Sequence, residues 1–268
     1  MCKKLLSLCM LFALSMAVWA EGKAKYVFYF IGDGMGVNQV NGTQTYLAAL
    51  EGRIGVTPLC FTQFPNAALV TTYSATNGVT DSAAAGTALA TGNKTRNGAL
   101  GVLADKETEV TSVAQWASQA GAAVGVSTSV SVDHATPAAF YAHQNSRRNY
   151  YEIGVELANS GFEYFAGGEF QKVNGSGNVP NNHEVAAQAG YNVVTTQAAA
   201  AALTAGADKT LIIAEDLADG KAMNYAMDAA GGEWQLTDYV KKGIELLDNR
   251  KGFFLMTESG KIDWACHA

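Results

Sequence analysis

Ser82 opens the stretch of this 268-residue chain with the clearest chemical character, Thr80-Asp81-Ser82-Ala83-Ala84-Ala85-Gly86-Thr87-Ala88-Leu89-Ala90-Thr91-Gly92. Polar residues begin it, small helix-compatible residues fill it, and Gly92 with Asn93 closes it. That pattern predicts a short helix with Asp81 or Ser82 at its N-terminal edge. A serine there faces unpaired backbone N–H groups and the positive end of the helix dipole, a setting that suits a phosphate-like anion or a covalent phosphoserine. Capping alone accounts for the same residue, because Ser and Asp are the usual caps. The other candidate residues must decide between the two.

Asp33 lies between glycines in Gly32-Asp33-Gly34-Met35-Gly36, directly after an apolar run. The spacing is not that of the dinucleotide-binding fingerprint. A carboxylate at such a turn is a natural ligand for a hard cation, and equally a turn residue that satisfies local N–H groups. His134 and Thr136, in Ser131-Val132-Asp133-His134-Ala135-Thr136-Pro137-Ala138, alternate across extended backbone, so both can face one point. Arg147-Arg148 offers a fork for two phosphate oxygens, or a solvated basic turn. Glu258, Asp263 and His267 follow one apolar run, and the last two stand four apart, the spacing for two ligands on one metal. Two carboxylates and an imidazole in that position are hard to explain as core filler.

The elements that must position these residues alternate between strand and helix. Lys25 to Ile31 is apolar throughout and reads as a central parallel strand buried on both faces. Val37 to Leu50 reads as a helix and Ala67 to Tyr73 as the next strand. Val110 to Ala120 is an amphipathic helix with Trp116 on its core side. Ala122 to Val130 is a third strand, leading to His134 and Thr136. Asn149 to Ser160 is a helix, Gly167 to Asn182 a glycine-rich surface excursion, and His183 falls on the helix after it, with no role assigned. Thr196 to Leu203 is an alanine-rich helix, Thr210 to Ala214 a short buried strand, and Gly220 to Gly232 another excursion. Leu236 to Asn249 is a helix capped by Thr237 or Asp238, and the last apolar run ends at Glu258. The chemistry-bearing residues sit at or just after strand or helix starts, positions that converge in a doubly wound, mostly parallel α/β sheet flanked by helices. No internal repeat or low-complexity linker marks a domain boundary.

Composition sets the bounds. Hydrophobic residues make up 49% and charged residues 16%, enough to bury a substantial core. A net charge of −6 gives no electrostatic footprint for nucleic acid. Residues 1–20 read as a signal peptide: Lys3-Lys4, an apolar run from Leu5 to Val18, and Val18-Trp19-Ala20 before Glu21. The expectation is an exported protein, periplasmic or secreted, with no membrane span in the mature chain. Export implies an oxidising compartment, yet Cys60 and Cys266 alone remain after cleavage, so at most one disulfide can form.

Four motifs, Gly32-Asp33-Gly34-Met35-Gly36, Thr80-Asp81-Ser82-Ala83-Ala84-Ala85-Gly86-Thr87-Ala88, His134-Ala135-Thr136-Pro137-Ala138 and Glu258-Ser259-Gly260-Lys261-Ile262-Asp263, occur in the order found in the alkaline phosphatases. From Tyr26 onward the chain resembles that family. The resemblance implies an alkaline-phosphatase-like fold over 21–268 and hydrolysis of small phosphate monoesters, with Ser82 as the nucleophile that becomes phosphorylated. It implies two Zn2+ and one Mg2+ per complete active site. Asp33 would bridge the second zinc and the magnesium, His134, Thr136 and Glu258 would serve the magnesium, and Asp263 with His267 would bind the first zinc. Arg147, rather than Arg148, matches the phosphate-gripping arginine by its distance from His134. A homodimer is suggested by the resemblance alone.

The chain departs from the pattern in two ways. Members of the family differ at the magnesium site and beside the first-zinc aspartate, and here these positions are His134 rather than Asp and Trp264 rather than Lys or His. The family's chain also continues further, supplying an Asp-His pair for the second zinc and another histidine for the first. Residues 21–268 therefore read as the N-terminal portion of a single domain, incomplete at the C-terminus, and the chain alone is expected to be inactive or nearly so. Two alternatives stand beside this reading: a phosphodiesterase of the same superfamily, and a non-catalytic exported protein that binds phosphate or metal.

Overall fold

The computed structural model describes residues 24–206, 209–249 and 251–267. The expected signal peptide at 1–20 lies outside them. Among the described residues, six strands form one sheet in which every pairing is parallel. They are β1 (Tyr26–Gly32), β2 (Ala123–Ser131), β3 (Tyr164–Gly168), β4 (Asn192–Val194), β5 (Thr210–Ile213) and β6 (Phe253–Ser259), in the spatial order β1-β6-β2-β3-β5-β4. The last strand in sequence thus sits between the first two. The helices are α1 (Val37–Leu50), α2 (Ser82–Thr91), α3 (Val113–Gln119), α4 (Ala135–Ala138), α5 (Tyr150–Asn159), α6 (Asn182–Gln188), α7 (Gln197–Ala202), α8 (Leu236–Leu247) and α9 (Lys261–Ala265).

Alternation along the strands creates a core on each face of the sheet. Val124, Val126, Phe165, Leu211, Phe254 and Met256 pack with Ala83 and Ala90 of α2, Ala114 of α3 and Ile153 and Leu157 of α5. Their sequence neighbours Ala123, Tyr164, Ala166, Ile212, Phe253 and Leu255 pack on the opposite face with Ala200 of α7 and Tyr239 and Leu247 of α8. Layers of helix therefore cover both sides of a parallel sheet, the doubly wound arrangement that the strand–helix alternation implies.

Several helix starts follow from their capping chemistry. Ser112 accepts from the Gln115 N–H at 3.1 Å while the Gln115 side chain accepts from the Ser112 N–H at 2.7 Å, which starts α3 at Val113 rather than at Val110. Gln235, rather than Thr237 or Asp238, occupies the cap of α8, and the Asp238 carboxylate accepts its N–H at 3.0 Å.

Four expectations need correction. β1 is an edge strand paired only with β6 among the described residues, and Tyr26, Val27, Phe28 and Phe30 remain exposed. An unbroken apolar run fixes neither the strand's neighbours nor what covers it. Ala67 to Tyr73 forms no strand among the described residues, and Leu69 and Val70 are largely exposed. Trp116 points away from the core and is 56% exposed. The stretch expected to be an excursion begins inside β3, whose five residues are all buried, and β4 had no strand signal longer than three residues.

Phe165 is fully buried, and its ring meets Tyr141 at 5.3 Å, Phe162 at 6.0 Å and Tyr191 at 6.0 Å. Phe165→Ala should cost about 3–5 kcal/mol of stability, through lost burial and an unfilled cavity. Denaturant unfolding measures it, and a loss under about 1 kcal/mol would contradict this packing.

Candidate active site

The carboxyl ends of β1, β2 and β6 meet the N-terminus of α2 around an open cleft of about 610 Å³. Asp33, Ser82, His134, Thr136, Arg147, Asp263 and His267 all line it. Glu258 is fully buried and is coupled electrostatically to Asp33 and Arg147. The eight residues singled out by sequence are thus brought to one end of the sheet.

Parallel register accounts for much of this convergence. Gly32 stands opposite Ser259 across β1 and β6, and the Asp33 N–H continues the ladder to Ser259 O at 3.3 Å. Gly34 then turns the chain with φ +63°, and a Cβ there would lie 2.6 Å from Asp263 Oδ1. Only glycine allows both that backbone and that approach. On the other side Thr128 stands opposite Glu258, and its hydroxyl donates to Glu258 Oε2.

Asp81, not Ser82, caps α2. Its Oδ1 accepts the Ala84 N–H at 3.0 Å, while Oδ2 accepts the Gly98 N–H at 3.0 Å and pairs with Arg147 Nη1 at 3.1 Å. Ser82 is left as the first helical residue, and its hydroxyl donates to Asp33 Oδ2 at 2.9 Å. Arg147 is anchored further by its N–H on Gly98 O at 2.6 Å, and its Nη2 lies 3.1 Å from His134 Nε2. A guanidinium can only donate, so Nε2 accepts and a neutral imidazole carries its proton on Nδ1. Burial and the Arg147 charge lower the His134 pKa to about 3, which keeps the ring neutral.

The carboxyls of the site favour protons or cations. Burial raises the pKa of Glu258 to about 7, against the lowering influence of Thr128; the neighbouring Asp33 raises it further, and Thr136 and Arg147 lower it. The Asp33 pKa is also raised, chiefly by burial and secondarily by Asp263, although the Ser82 hydroxyl and Arg147 oppose this. Asp263 Oδ1 lies 3.2 Å from His267 Nε2, one turn along α9 and its extension.

Three polar atoms here are buried without a partner: Glu258 Oε1, Thr136 Oγ1 and His134 Nδ1. The two oxygens suit a hard cation, which prefers oxygen ligands. His134 Nδ1, as a donor, suits a water or ligand oxygen better than direct contact with a metal. Among the described residues, no group of three His, Cys, Asp or Glu side chains is placed to hold a metal ion. The two unpartnered oxygens, Glu258 Oε1 and Thr136 Oγ1, could still supply a cation with part of a shell.

Some residues at the site gave little signal in the sequence. Asp81 was legible as a cap but not as a partner of Arg147. Thr128 lies within a buried strand, and its importance depends on pairing with Glu258. The remaining histidines lie in other contacts: His183 bonds Glu169 at 2.8 Å and His143 pairs with Glu156 at 3.7 Å. Cys60 and Cys266 are both free and exposed.

The chain belongs to the alkaline phosphatases, whose family model matches residues 24–167 and 170–268. It is 38% identical over 198 residues to alkaline phosphatase 4 of Bacillus subtilis, covering 70% of this chain and 41% of that protein. It is 39% identical over 146 residues to the human tissue-nonspecific isozyme, covering 51% of this chain and 28% of that one. A TAB5 alkaline phosphatase variant with aspartate in place of a histidine and magnesium in its M3 site superposes with a TM-score of 0.74 at 29% identity, covering 91% of this chain and 66% of that one. A cold-active alkaline phosphatase from Shewanella sp. gives a TM-score of 0.78 at 30% identity, covering 90% and 58%. The chain thus spans less than half of the curated relatives it matches and about three fifths of the solved structures.

Glu258 makes stability depend on pH in the metal-free chain. Its folded pKa of about 7 exceeds the usual 4.5, so folding favours the neutral carboxyl. Stability from this group is complete below about pH 4.5 and declines as pH rises toward 7, by roughly 3 kcal/mol in all. Glu258→Gln should flatten that decline in urea unfolding with a chelator present. An equal decline in the variant would show that another group carries it.

Proposed function

We propose that this chain supplies the nucleophile side of a metal-dependent phosphate monoester hydrolase that acts through a phosphoserine at Ser82. The observation that carries this reading is the Ser82 hydroxyl, uncommitted to helix capping and hydrogen-bonded to Asp33 at 2.9 Å in a cleft that Arg147 also lines. Asp33 Oδ2 accepts the Ser82 proton and so aims the Oγ lone pairs away from itself. Arg147, braced by Asp81 and His134, holds a fixed positive charge near Ser82 for the equatorial phosphoryl oxygens. The first turn of α2 adds the positive end of a ten-residue helix.

Thr136 and Glu258 would hold magnesium through their unpartnered oxygens, with His134 donating to a water. Asp33, Asp263 and His267 would contribute to the zinc sites. When bound, these ions lower the pKa of hydroxyl and water and neutralise charge on the attacking and leaving oxygens. The described residues bring together only part of the ligand set that such a site would use, so this chain by itself is proposed to turn over little or no substrate. The leader at 1–20 belongs to the same proposal, which includes export to the periplasm or medium.

Hydrolysis of a chromogenic phosphate monoester by the purified chain, with zinc and magnesium, tests the proposed inactivity; turnover comparable to a complete enzyme would sink it. For the nucleophile, incubation with zinc, magnesium and a chromogenic phosphate monoester should transfer a single phosphoryl group to Ser82, the serine proton leaving and one equivalent of the ester's alcohol being released, without further turnover; mass spectrometry should find the group at Ser82 and not in Ser82→Ala. Label retained in that variant would refute the covalent route. Arg147→Ala should weaken inorganic phosphate binding by about tenfold or more in calorimetry. Phosphate bound tightly with no labelling of Ser82 would favour a non-catalytic binding protein.

A further inference from the structure

Trp264, on α9, is confined from two sides. Its ring lies edge-on to His134, with centroids 6.1 Å apart and planes at 73°. On the other side the short helical turn at Asp219–Lys221 comes so close that a Cβ on Gly220 would sit 2.8 Å from Trp264 Cη2 and 3.2 Å from Cζ3.

This turn is unusual in its backbone and in how firmly it is tied. Gly220 and Lys221 have φ of +58° and +57°, a conformation that lysine rarely adopts unless its surroundings impose it. Here they do. Lys221 Nζ donates to Phe170 O at 2.6 Å and to Gln171 O at 3.1 Å, and the Gln171 side-chain amide donates to Gly220 O. The Gln171 N–H in turn donates to both oxygens of Asp133, a fully buried residue directly before His134. Lys261, one turn before Trp264, pairs with Asp219 at 3.4 Å and stands over the Tyr225 ring at 3.8 Å and the Trp264 ring at 5.5 Å. A closed chain of contacts therefore runs from Asp133 through Gln171 and Gly220 to Trp264 and back to His134.

We propose that the Asp219–Lys221 turn is a wedge that positions Trp264 against His134, so that Gly220 sets how firmly the His134–Thr136–Glu258 pocket holds its cation. The cation part of this proposal rests on the reading of that pocket given above. With Trp264 wedged, the His134 ring has no room to swing off Arg147, and its Nδ1 keeps one direction. A side chain at position 220 would push the indole off its seat against His134, shift the imidazole, and remove a preorganised contact around the cation. Gly220 is a positioning residue, because it touches neither substrate nor ion.

The test uses Gly220→Ala in a chain whose Trp19, Trp116 and Trp234 are replaced by Phe, so that all tryptophan emission comes from Trp264. The emission should move to longer wavelength, and magnesium affinity, measured by calorimetry, should fall by about tenfold. Adding Trp264→Phe shortens the ring that the new methyl strikes, so the double variant should bind magnesium as well as Trp264→Phe alone. Backbone strain at Gly220 would persist in the double variant, so a double variant no better than Gly220→Ala would overturn the wedge. Unchanged emission in Gly220→Ala would overturn it too. If the parent chain binds no magnesium, the cation reading of the pocket fails, while the emission shift still decides whether the turn positions Trp264.

Discussion

Parallel pairing of β6 between β1 and β2 is the constraint on which the rest of the site depends. Residues from opposite ends of the sequence meet because one strand has both others as neighbours. The register on one side brings Asp33 to the Ser259 carbonyl; on the other it sets Thr128 beside Glu258. A one-residue slip would reverse which face each side chain takes. It would also take Glu258 from Thr128 and shift Asp33 relative to Ser82. The two apolar cores hold that register, since Phe254 and Met256 belong to one and Phe253 and Leu255 to the other.

The same convergence creates an electrostatic problem. Asp33, Glu258 and Asp263 crowd one end of the sheet, and the first two are raised in pKa chiefly by burial. Arg147 is the cation nearest to hand, but it is committed to Asp81 and His134. Glu258 Oε1 and Thr136 Oγ1 are buried without a hydrogen bond of good geometry. Buried polar atoms left unmatched cost stability unless something binds there. The site thus leaves buried acceptors for which the described residues supply no matching positive charge.

Sequence patterns revealed much of this site because its residues lie where strands stop. Glycine turns, a capped helix start and a carboxylate four residues from a histidine are all local signals. The interactions that register creates left no such trace. Thr128 looks like any residue of a buried strand until β6 lies beside it. The exposure of β1 was equally hidden, because apolar residues on both faces look the same whether one strand edge or two are paired. β3 escaped notice since Gly167 and Gly168 suggest a loop, although both glycines end a fully buried strand. Trp116 shows a further limit: helical spacing identifies a stripe, but not whether another element covers it.

The ambiguity at Ser82 is resolved by the fact that a helix has only one N-cap. Asp81 fills it, using one carboxylate oxygen on Ala84 and the other on Gly98 and Arg147. A serine at that position would have spent its hydroxyl on the first turn. Displaced by one residue, Ser82 has its hydroxyl free for Asp33. The aspartate therefore does more than end the helix: it fixes the guanidinium that faces the same cleft, so Ser82 and Arg147 are aligned through one side chain. Capping is a sufficient explanation for a serine at this edge, and the fold gives that task to Asp81, leaving the Ser82 hydroxyl to Asp33.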